Sequence, residues 1–275
     1  MMKFGLIGHP IAHSLSPSLF KAAFNDRYAY DLREGEDFEE SYRKFLDGYR
    51  AVNVTTPFKE IAYRRADIAT DDCKAIGAAN ILVKTDDGKV IAANSDHMGV
   101  IGAAMAGLYP DKNVRKTALI VGCGGAAKAA AYAMCSSGYA TTIINRSFEK
   151  ARDFAQQLEK IQGFNIVAVP MTEFRKQFRN AGIIIYTLPV HIHELDRLSG
   201  NDVRGNTFFR KETKVLIEAN YKDPAFSEDF INTFRRMNPL FEYVSGKEWL
   251  LHQALGAYLA FLNEEPNIEA MRKVL

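Results

Sequence analysis

Short apolar runs alternate along the chain with longer segments in which apolar residues recur every three or four positions. The runs at 3–8 and 50–55 predict buried strands, and residues 16–27 predict a helix with proline in its first turn. Residues 78–96 contain two apolar runs around an Asp-Gly dipeptide, which is typical of a β-hairpin. The N-terminal part of the chain therefore mixes helices with strands.

From residue 117 onward, one strand and one helix alternate more regularly. The predicted strands are 117–122, 140–146, 164–170, 182–189 and 213–220, and the predicted helices are 125–138, 147–160 and the long amphipathic segment 246–262. Such alternation indicates a parallel, doubly wound sheet. We therefore predict an α/β fold with an N-terminal α/β domain and a Rossmann-type second domain. The joint is expected near Ser95–Gly99, and the last long helix could pack on either domain.

Composition and charge exclude several classes of protein. The 275 residues are 47% hydrophobic, enough for a core in each of two domains, and the net charge of +2 shows no basic stripe for nucleic acid. No apolar run is long enough to span a membrane or to form a signal peptide. Three widely spaced cysteines fit the reducing cytoplasm and suggest no metal site. We expect a cytoplasmic enzyme that acts on a small molecule, as a monomer or homodimer.

A glycine-rich turn follows the first strand of the second series. Gly122 and Gly124 occupy the first two positions of a GxGxxG pattern, and Ala127 occupies the third. Glycines there permit a tight turn and let a pyrophosphate approach helix N–H groups, although a tight turn without a ligand is the alternative. The candidate cofactor residues in this turn are Gly122, Gly124, Gly125 and Ala126.

The next strand indicates which dinucleotide would bind. It ends at Asn145, Arg146 and Ser147, where an NAD enzyme would have a carboxylate to bind the ribose hydroxyls. Arginine instead suits a 2′-phosphate by charge and by geometry. NADP(H) is therefore favoured over NAD(H), and a solvated arginine at a helix start is the alternative.

The candidate catalytic and substrate-binding residues precede the predicted cofactor-binding domain. They are polar residues at strand ends and helix starts, namely Ser14, Ser16, Asn53, Thr55, Lys59, Asn80 and Asp96. Taken singly, Ser16 and Asp96 could be helix caps and Asn80 a turn residue. Their joint occurrence favours a binding site.

These stretches carry a family resemblance. The motifs GHPIAHSLSPSLF, NVTTPFK, GAAN, NSDHMG, GCGGAA and NRS, followed by Gln253, resemble those of shikimate dehydrogenases over nearly the whole chain. The resemblance implies that Lys59 and Asp96 form a catalytic pair and that Ser14 and Ser16 hold the shikimate carboxylate. It also implies substrate contacts from Thr55, Lys59, Asn80, Asp96, Tyr221 and Gln253, and NADP contacts from Gly122, Gly124, Gly125, Ala126, Asn145, Arg146, Ser147 and Gly246.

The implied reaction is the reversible reduction of 3-dehydroshikimate to shikimate, a step toward chorismate and the aromatic amino acids. Hydride delivery to a ketone builds negative charge on its oxygen, and a lysine ammonium can supply both a cation and a proton. A neighbouring Asp96 carboxylate favours the protonated amine. In the oxidative direction Lys59 must first lose its proton, so we expect that direction to prefer higher pH.

The resemblance also divides the chain. It implies a substrate-binding domain of residues 1–97, completed by residues 240–275, whose C-terminal helices pack back on it, and an NADP-binding Rossmann domain of residues 98–239. The stretch between Phe24 and Val52 is shorter than is usual in the family, so the loss of one strand–helix element is open.

The sequence departs from the family in two further segments, and two alternative functions are open. Tyr186–Pro189 and Gly246–Trp249 differ from the usual family motifs near the nicotinamide and before the last long helix. One alternative is a dehydrogenase for quinate or another cyclic polyhydroxy acid, with NAD as a possible cofactor. The other is a nucleotide-binding regulator that has lost the chemistry, against which the retention of Lys59 and Asp96 argues.

Overall fold

Two six-stranded sheets form within the residues that the computed structural model describes, which are 2–108, 113–204 and 212–275. The chain divides into two compact units. The first contains Met1–Gly99 and Leu250–Leu275, and the second contains Val100–Trp249.

The first unit is built on a mixed sheet. Its elements are β1 (Lys3–Gly8), α1 (Ser16–Phe24), β2 (Ala29–Glu34), α2 (Phe38–Gly48), β3 (Ala51–Val54), α3 (Lys59–Arg65), β4 (Ile68–Ala69), α4 (Asp71–Ile76), β5 (Ile81–Lys84), β6 (Val90–Ala93) and the start of α5 (Asp96–Leu108). The strand order is β2-β1-β3-β5-β6-β4, with β1 parallel to β2 and β3. The strands β5 and β6 are antiparallel neighbours, which confirms the predicted hairpin.

The segment between Phe24 and Val52 has not lost its strand–helix element. It contains β2 and α2, neither of which the sequence pattern predicted. The strand β2 pairs with β1 along its whole length and forms the edge of the sheet. The open question about this segment is therefore answered by an edge strand and an amphipathic helix.

Aromatic side chains form much of one face of the first unit's core. The rings of Phe4 and Phe261 stack with centroids 5.4 Å apart, and Phe20 meets Tyr258 edge-on at 4.9 Å. These contacts pack α1 and β1 against the C-terminal residues of the chain. Aromatic pairs of this geometry add to the free energy gained by burial alone.

The second unit is built on a parallel sheet. Its elements are β7 (Thr117–Val121), α6 (Gly125–Ser136), β8 (Ala140–Ile144), α7 (Phe148–Gln162), β9 (Ile166–Val169), α8 (Phe174–Asn180), β10 (Ile183–Tyr186), α9 (His193–Asp196), α10 (Gly200–Arg204), β11 (Lys214–Glu218), α11 (Glu228–Met237) and β12 (Phe241–Val244). All neighbours in the order β12-β11-β10-β7-β8-β9 are parallel, and β10 and β11 are buried along their whole length. The predicted α/β class with a Rossmann-type sheet is confirmed.

The C-terminal end of the chain has two helices, α12 (Gly246–Leu262) and α13 (Ile268–Arg272). The bounds of α12 agree with the predicted helix. The preceding strand β12 pairs with β11 in the second sheet, so residues 241–244 lie in the second unit. This differs from the expected boundary, which assigned residues 240–275 to the first domain. A four-residue strand between two helices gives too short a pattern to be predicted.

Candidate active site

Lys59 and Asp96 form an ion pair within the first unit. Lys59 is the first residue of α3 and Asp96 the first residue of α5, and Lys59 Nζ lies 2.6 Å from Asp96 Oδ2. The lysine side chain is 14% exposed and the aspartate side chain 1% exposed. Charges so far from water interact strongly. An ammonium has three donors, so this amine can donate to a ligand while it stays paired.

The backbone near Asn80 connects the two partners of the pair. The N–H of Ala79 donates to the carbonyl of Lys59 at 2.8 Å. The buried side chain of Asn80 donates from Nδ2 to Asp96 Oδ1 at 3.1 Å and accepts the N–H of Ser95 at 2.8 Å. The carboxylate of Asp96 is therefore held on one oxygen by an amide and on the other by an ammonium.

The turn that precedes Lys59 is anchored by backbone contacts. The N–H of Phe58 donates to the carbonyl of Thr55 at 2.9 Å, and the N–H of His9 donates to the carbonyl of Thr56 at 3.0 Å. A Cβ at Gly8 would lie 2.4 Å from Thr55 Cγ2, so only glycine lets β1 approach the turn this closely. This packing fixes the position from which α3 begins.

Neutral donors gather at the start of α1. Ser14 Oγ donates to Ser16 Oγ at 3.1 Å, and the N–H of Ser16 donates to Ser14 Oγ at 3.2 Å. Tyr30 on β2 adds a hydroxyl that donates to Asn53 Oδ1 at 2.8 Å, and burial raises the pKa of Tyr30, so this hydroxyl stays neutral. Hydroxyls beside a helix N-terminus suit a carboxylate ligand.

A hydrogen bond joins this group to the ion-pair region, because Asn53 Nδ2 donates to the carbonyl of Asn80 at 3.3 Å. The other predicted substrate residues are placed differently. Thr55 is half-buried in the turn of the first unit, and Gln253 lies on the part of α12 that belongs to that unit. Tyr221 lies in the second unit, on the loop after β11.

The glycine turn of the second unit has the features that a cofactor phosphate requires. Gly122 has a positive φ of 117°, and a Cβ there would lie 2.3 Å from Thr187 Oγ1. Gly124 has an ordinary φ and, among the described residues, no atom within 4 Å of such a Cβ. The chain itself needs glycine at the first position only. The second glycine leaves room in front of Gly125 and Ala126, where α6 begins without a side-chain cap. The first N–H groups of a helix have no partner within the helix and can donate to a phosphate.

Asn145, Arg146 and Ser147 follow β8, the neighbour of β7, so they share the carboxyl edge of the sheet with the glycine turn. The N–H of Gly122 donates to the carbonyl of Ile144 at 2.8 Å, which brings the two segments together. Asn145 Nδ2 donates to the carbonyl of Ser147 at 3.0 Å, and the Arg146 side chain is exposed.

Gly246, the remaining cofactor candidate, starts α12 close to the end of β11. A Cβ there would lie 2.6 Å from the carbonyl oxygen of Ala219, which is a packing reason for glycine. The adjacent Glu218 is fully buried and accepts from the Tyr243 hydroxyl at 2.7 Å and from the N–H of Ala225 at 2.5 Å. Burial raises the pKa of Glu218. Glu218 therefore joins β12 and the loop after β11 through buried hydrogen bonds.

Three groups near the site were missed by sequence reasoning. Tyr30 lies on a strand with an irregular polar pattern, Tyr258 donates from the far end of the chain to the carbonyl of Ser16 at 3.1 Å, and Asn94 is buried beside Asp96. Of these three residues, only Asn94 could have been identified from the local sequence, because asparagine two residues before a helix start is typical of a capping turn.

Within the described residues, no helix is long and apolar enough to cross a membrane. In the same part of the chain, no group of three or more His, Cys, Asp or Glu side chains is arranged to hold a metal ion.

Two family models match the chain. The shikimate dehydrogenase substrate binding domain matches residues 6–82, and the shikimate / quinate 5-dehydrogenase model matches residues 104–193. The NADP(+) shikimate dehydrogenase of Haemophilus ducreyi is 31% identical over 283 aligned positions, which cover 99% of this chain and 96% of that protein.

Solved structures of the same fold differ in what they bind. A shikimate 5-dehydrogenase of Thermus thermophilus in complex with NADP(H) and shikimate has a TM-score of 0.78 at 24% identity and covers all of both chains. A quinate dehydrogenase of Corynebacterium glutamicum in complex with NAD has a TM-score of 0.82 at 20% identity and covers 99% of this chain and 98% of that chain. The similarity in fold alone therefore does not distinguish shikimate from quinate, or NADP from NAD, as the ligands of this chain.

Proposed function

The chain belongs to the shikimate dehydrogenase family, and we propose that it catalyses the reversible NADP-dependent reduction of 3-dehydroshikimate to shikimate. The observation that carries this proposal is the buried pair of Lys59 and Asp96, 2.6 Å apart on the first residues of two helices. Lys59 therefore differs from a solvated surface lysine, because its side chain is largely buried and its amine is held by a carboxylate.

NADPH, when bound, would supply a hydride for reduction of the substrate carbonyl. The Lys59 ammonium stabilises the negative charge that develops on the oxygen and then gives that oxygen its proton. In the oxidative direction, neutral Lys59 accepts the proton of the substrate hydroxyl. Asp96 orients the amine, and its own second oxygen is fixed by Asn80, so the donor cannot swing away from the reacting atom.

The substrate is a cyclic hydroxy acid, and its carboxylate needs neutral donors some distance from the reacting carbon. The Ser14 and Ser16 hydroxyls at the start of α1 supply them. Tyr30 can add a third donor if its hydroxyl proton turns from Asn53 Oδ1 to the ligand. Thr55, Asn80 and Gln253 are assigned to the ring hydroxyls. Tyr221 on the second unit is assigned to the substrate as well.

The cofactor residues of the second unit fit a dinucleotide phosphate, because Gly124 leaves room before the N-terminus of α6. Gly122, Gly125 and Ala126 complete this turn. Asn145, Arg146 and Ser147 are assigned to the ribose 2′-phosphate, which the exposed guanidinium can bind through two hydrogen bonds. Gly246 is assigned to the nicotinamide end.

A spectrophotometric assay of purified protein tests the function. Shikimate and quinate are each offered at alkaline pH with NADP⁺ and with NAD⁺, and formation of reduced cofactor is followed. We expect the highest kcat/KM with shikimate and NADP⁺. A preference for quinate with NAD⁺ would assign the chain to the alternative substrate class. Binding of NADPH without turnover of any cyclic acid would assign it to a regulator.

We propose that the enzyme is cytoplasmic, and its cysteines support this location. Cys73, Cys123 and Cys135 are buried cysteines in the thiol form, which is typical of a reducing compartment such as the cytoplasm.

A further inference from the structure

Asn94 follows β6 and is 3% exposed, so both polar groups of its side chain need partners. Its Oδ1 accepts the N–H of Asp96 at 2.9 Å, and its Nδ2 donates to the carbonyl of Ala78 at 2.8 Å. The side chain thus connects the first residue of α5 to Ala78, which lies sixteen positions before Asn94 in the chain.

The segment around Ala78 is also hydrogen-bonded to the backbone of Lys59, the other residue of the ion pair. Ala79, the neighbour of Ala78, donates its N–H to the carbonyl of Lys59 at 2.8 Å. A continuous path of short hydrogen bonds therefore runs from the backbone of Asp96 through the Asn94 amide to the backbone of Lys59. Asn80 fixes the Asp96 carboxylate, whereas Asn94 fixes the backbone from which that carboxylate projects.

We propose that Asn94 is a positioning residue that sets the geometry of the Lys59–Asp96 pair without touching the substrate. This inference rests on the proposed function. Loss of the amide frees the start of α5 and leaves the carbonyl of Ala78 without this donor, so the carboxylate moves relative to the amine. Displacements of about 1 Å in a catalytic group can reduce turnover by about a hundredfold.

The chain contains a matched control in Asn238, which is 7% exposed. Its Oδ1 also accepts the N–H of the residue two positions later, Leu240, at 2.9 Å, and its Nδ2 also donates to a distant carbonyl, that of Val203, at 3.3 Å. Asn238 lies in the second unit. The variants Asn94→Ala and Asn238→Ala therefore remove the same pair of contacts from different places.

The first readout is kinetic. We expect Asn94→Ala to lower kcat for shikimate oxidation by about 10- to 100-fold, with KM changed less than about threefold and a displaced pH profile of kcat. Asn238→Ala should retain the wild-type kcat and pH profile. Asn94→Ser keeps a hydroxyl acceptor for the N–H of Asp96 and should recover part of the lost kcat. If Asn94→Ala fails to fold, the serine variant still allows the kinetic test.

The second readout needs no activity. The rate at which Lys59 is reductively methylated, measured by peptide mass spectrometry, should rise in Asn94→Ala and stay at the wild-type value in Asn238→Ala. If wild-type protein does not oxidise shikimate, the proposed function fails, but this measurement still tests the role of Asn94. Equal kinetic losses in both alanine variants, or an unchanged Lys59 reactivity in Asn94→Ala, would overturn the inference.

Discussion

Removing the charge of one partner of the Lys59–Asp96 pair should lower the free energy of unfolding more than removing both charges. Coulomb attraction at the 2.6 Å separation is about 6 kcal/mol at an effective dielectric constant of about 20. Much of it offsets the desolvation of two buried charges. Lys59→Met leaves a carboxylate that is 1% exposed without its counter-charge, although Asn80 and the N-terminus of α5 still stabilise it. We therefore expect Lys59→Met to lower the free energy of unfolding by about 3 kcal/mol, the lower end for such pairs.

The double variant Lys59→Met/Asp96→Asn removes both charges and should be more stable than the sum of the single effects predicts. We expect a coupling free energy of about 2–3 kcal/mol, measured by urea unfolding of all four proteins in the cycle. In the same cycle, kcat should fall about 10²- to 10⁴-fold in each single variant and no further in the double variant, because the two residues act as a unit.

A surface pair of the same length provides the control. Lys44 Nζ lies 2.6 Å from Glu40 Oε1, but both side chains are 58% exposed. Lys44→Met should change stability by less than about 1 kcal/mol and leave kcat unchanged. If Lys59→Met were as stable as Lys44→Met, or if the effects in the cycle were additive, the reasoning about a buried, coupled pair would be wrong.

Two further predictions concern the second unit. Arg146→Ala should raise the Kd of NADPH at least about tenfold and leave that of NADH within about twofold, measured by fluorescence titration; equal losses would remove Arg146 from the 2′-phosphate site. Burial lowers the pKa of Lys214 to about 7, against 10.5 for an unperturbed lysine, so between these values the unfolded chain binds the extra proton and stability rises with pH. The advantage of wild type over Lys214→Met should therefore grow by up to about 1.4 kcal/mol per unit from about pH 7 to pH 9, and a constant difference in urea unfolding would contradict this.

The strands with continuous apolar runs were predicted correctly because burial on both faces needs such runs. The segments 182–189 and 213–220 contain β10 and β11, which are buried along their whole length. In contrast, β2 is an edge strand of the sequence AYDLRE, whose charged residues hide the pattern, and β4 has only two residues. Pairing with neighbours, rather than local propensity, makes these segments strands.

The candidate site was predictable only in part. Lys59 and Asp96 are 37 positions apart, and no periodicity relates them; the family resemblance suggested the pairing, and the structure places the two charged groups in contact. That resemblance to the shikimate dehydrogenases is confirmed by the family models and relatives. The resemblance assigned no role to Asn94 or Tyr30. Each makes a hydrogen bond to a residue distant in the sequence, Ala78 for Asn94 and Asn53 for Tyr30, which only the folded chain shows.

Chemical rescue tests the role of the Lys59 amine most directly. Lys59→Ala is assayed for NADPH formation from shikimate and NADP⁺ over a range of added ethylamine, with Lys44→Ala as the control. The account predicts a variant that is almost inactive alone and whose rate rises in proportion to the concentration of neutral amine, whereas the control keeps its full rate throughout. A Lys59→Ala protein that turns over shikimate at the wild-type rate without added amine would contradict it.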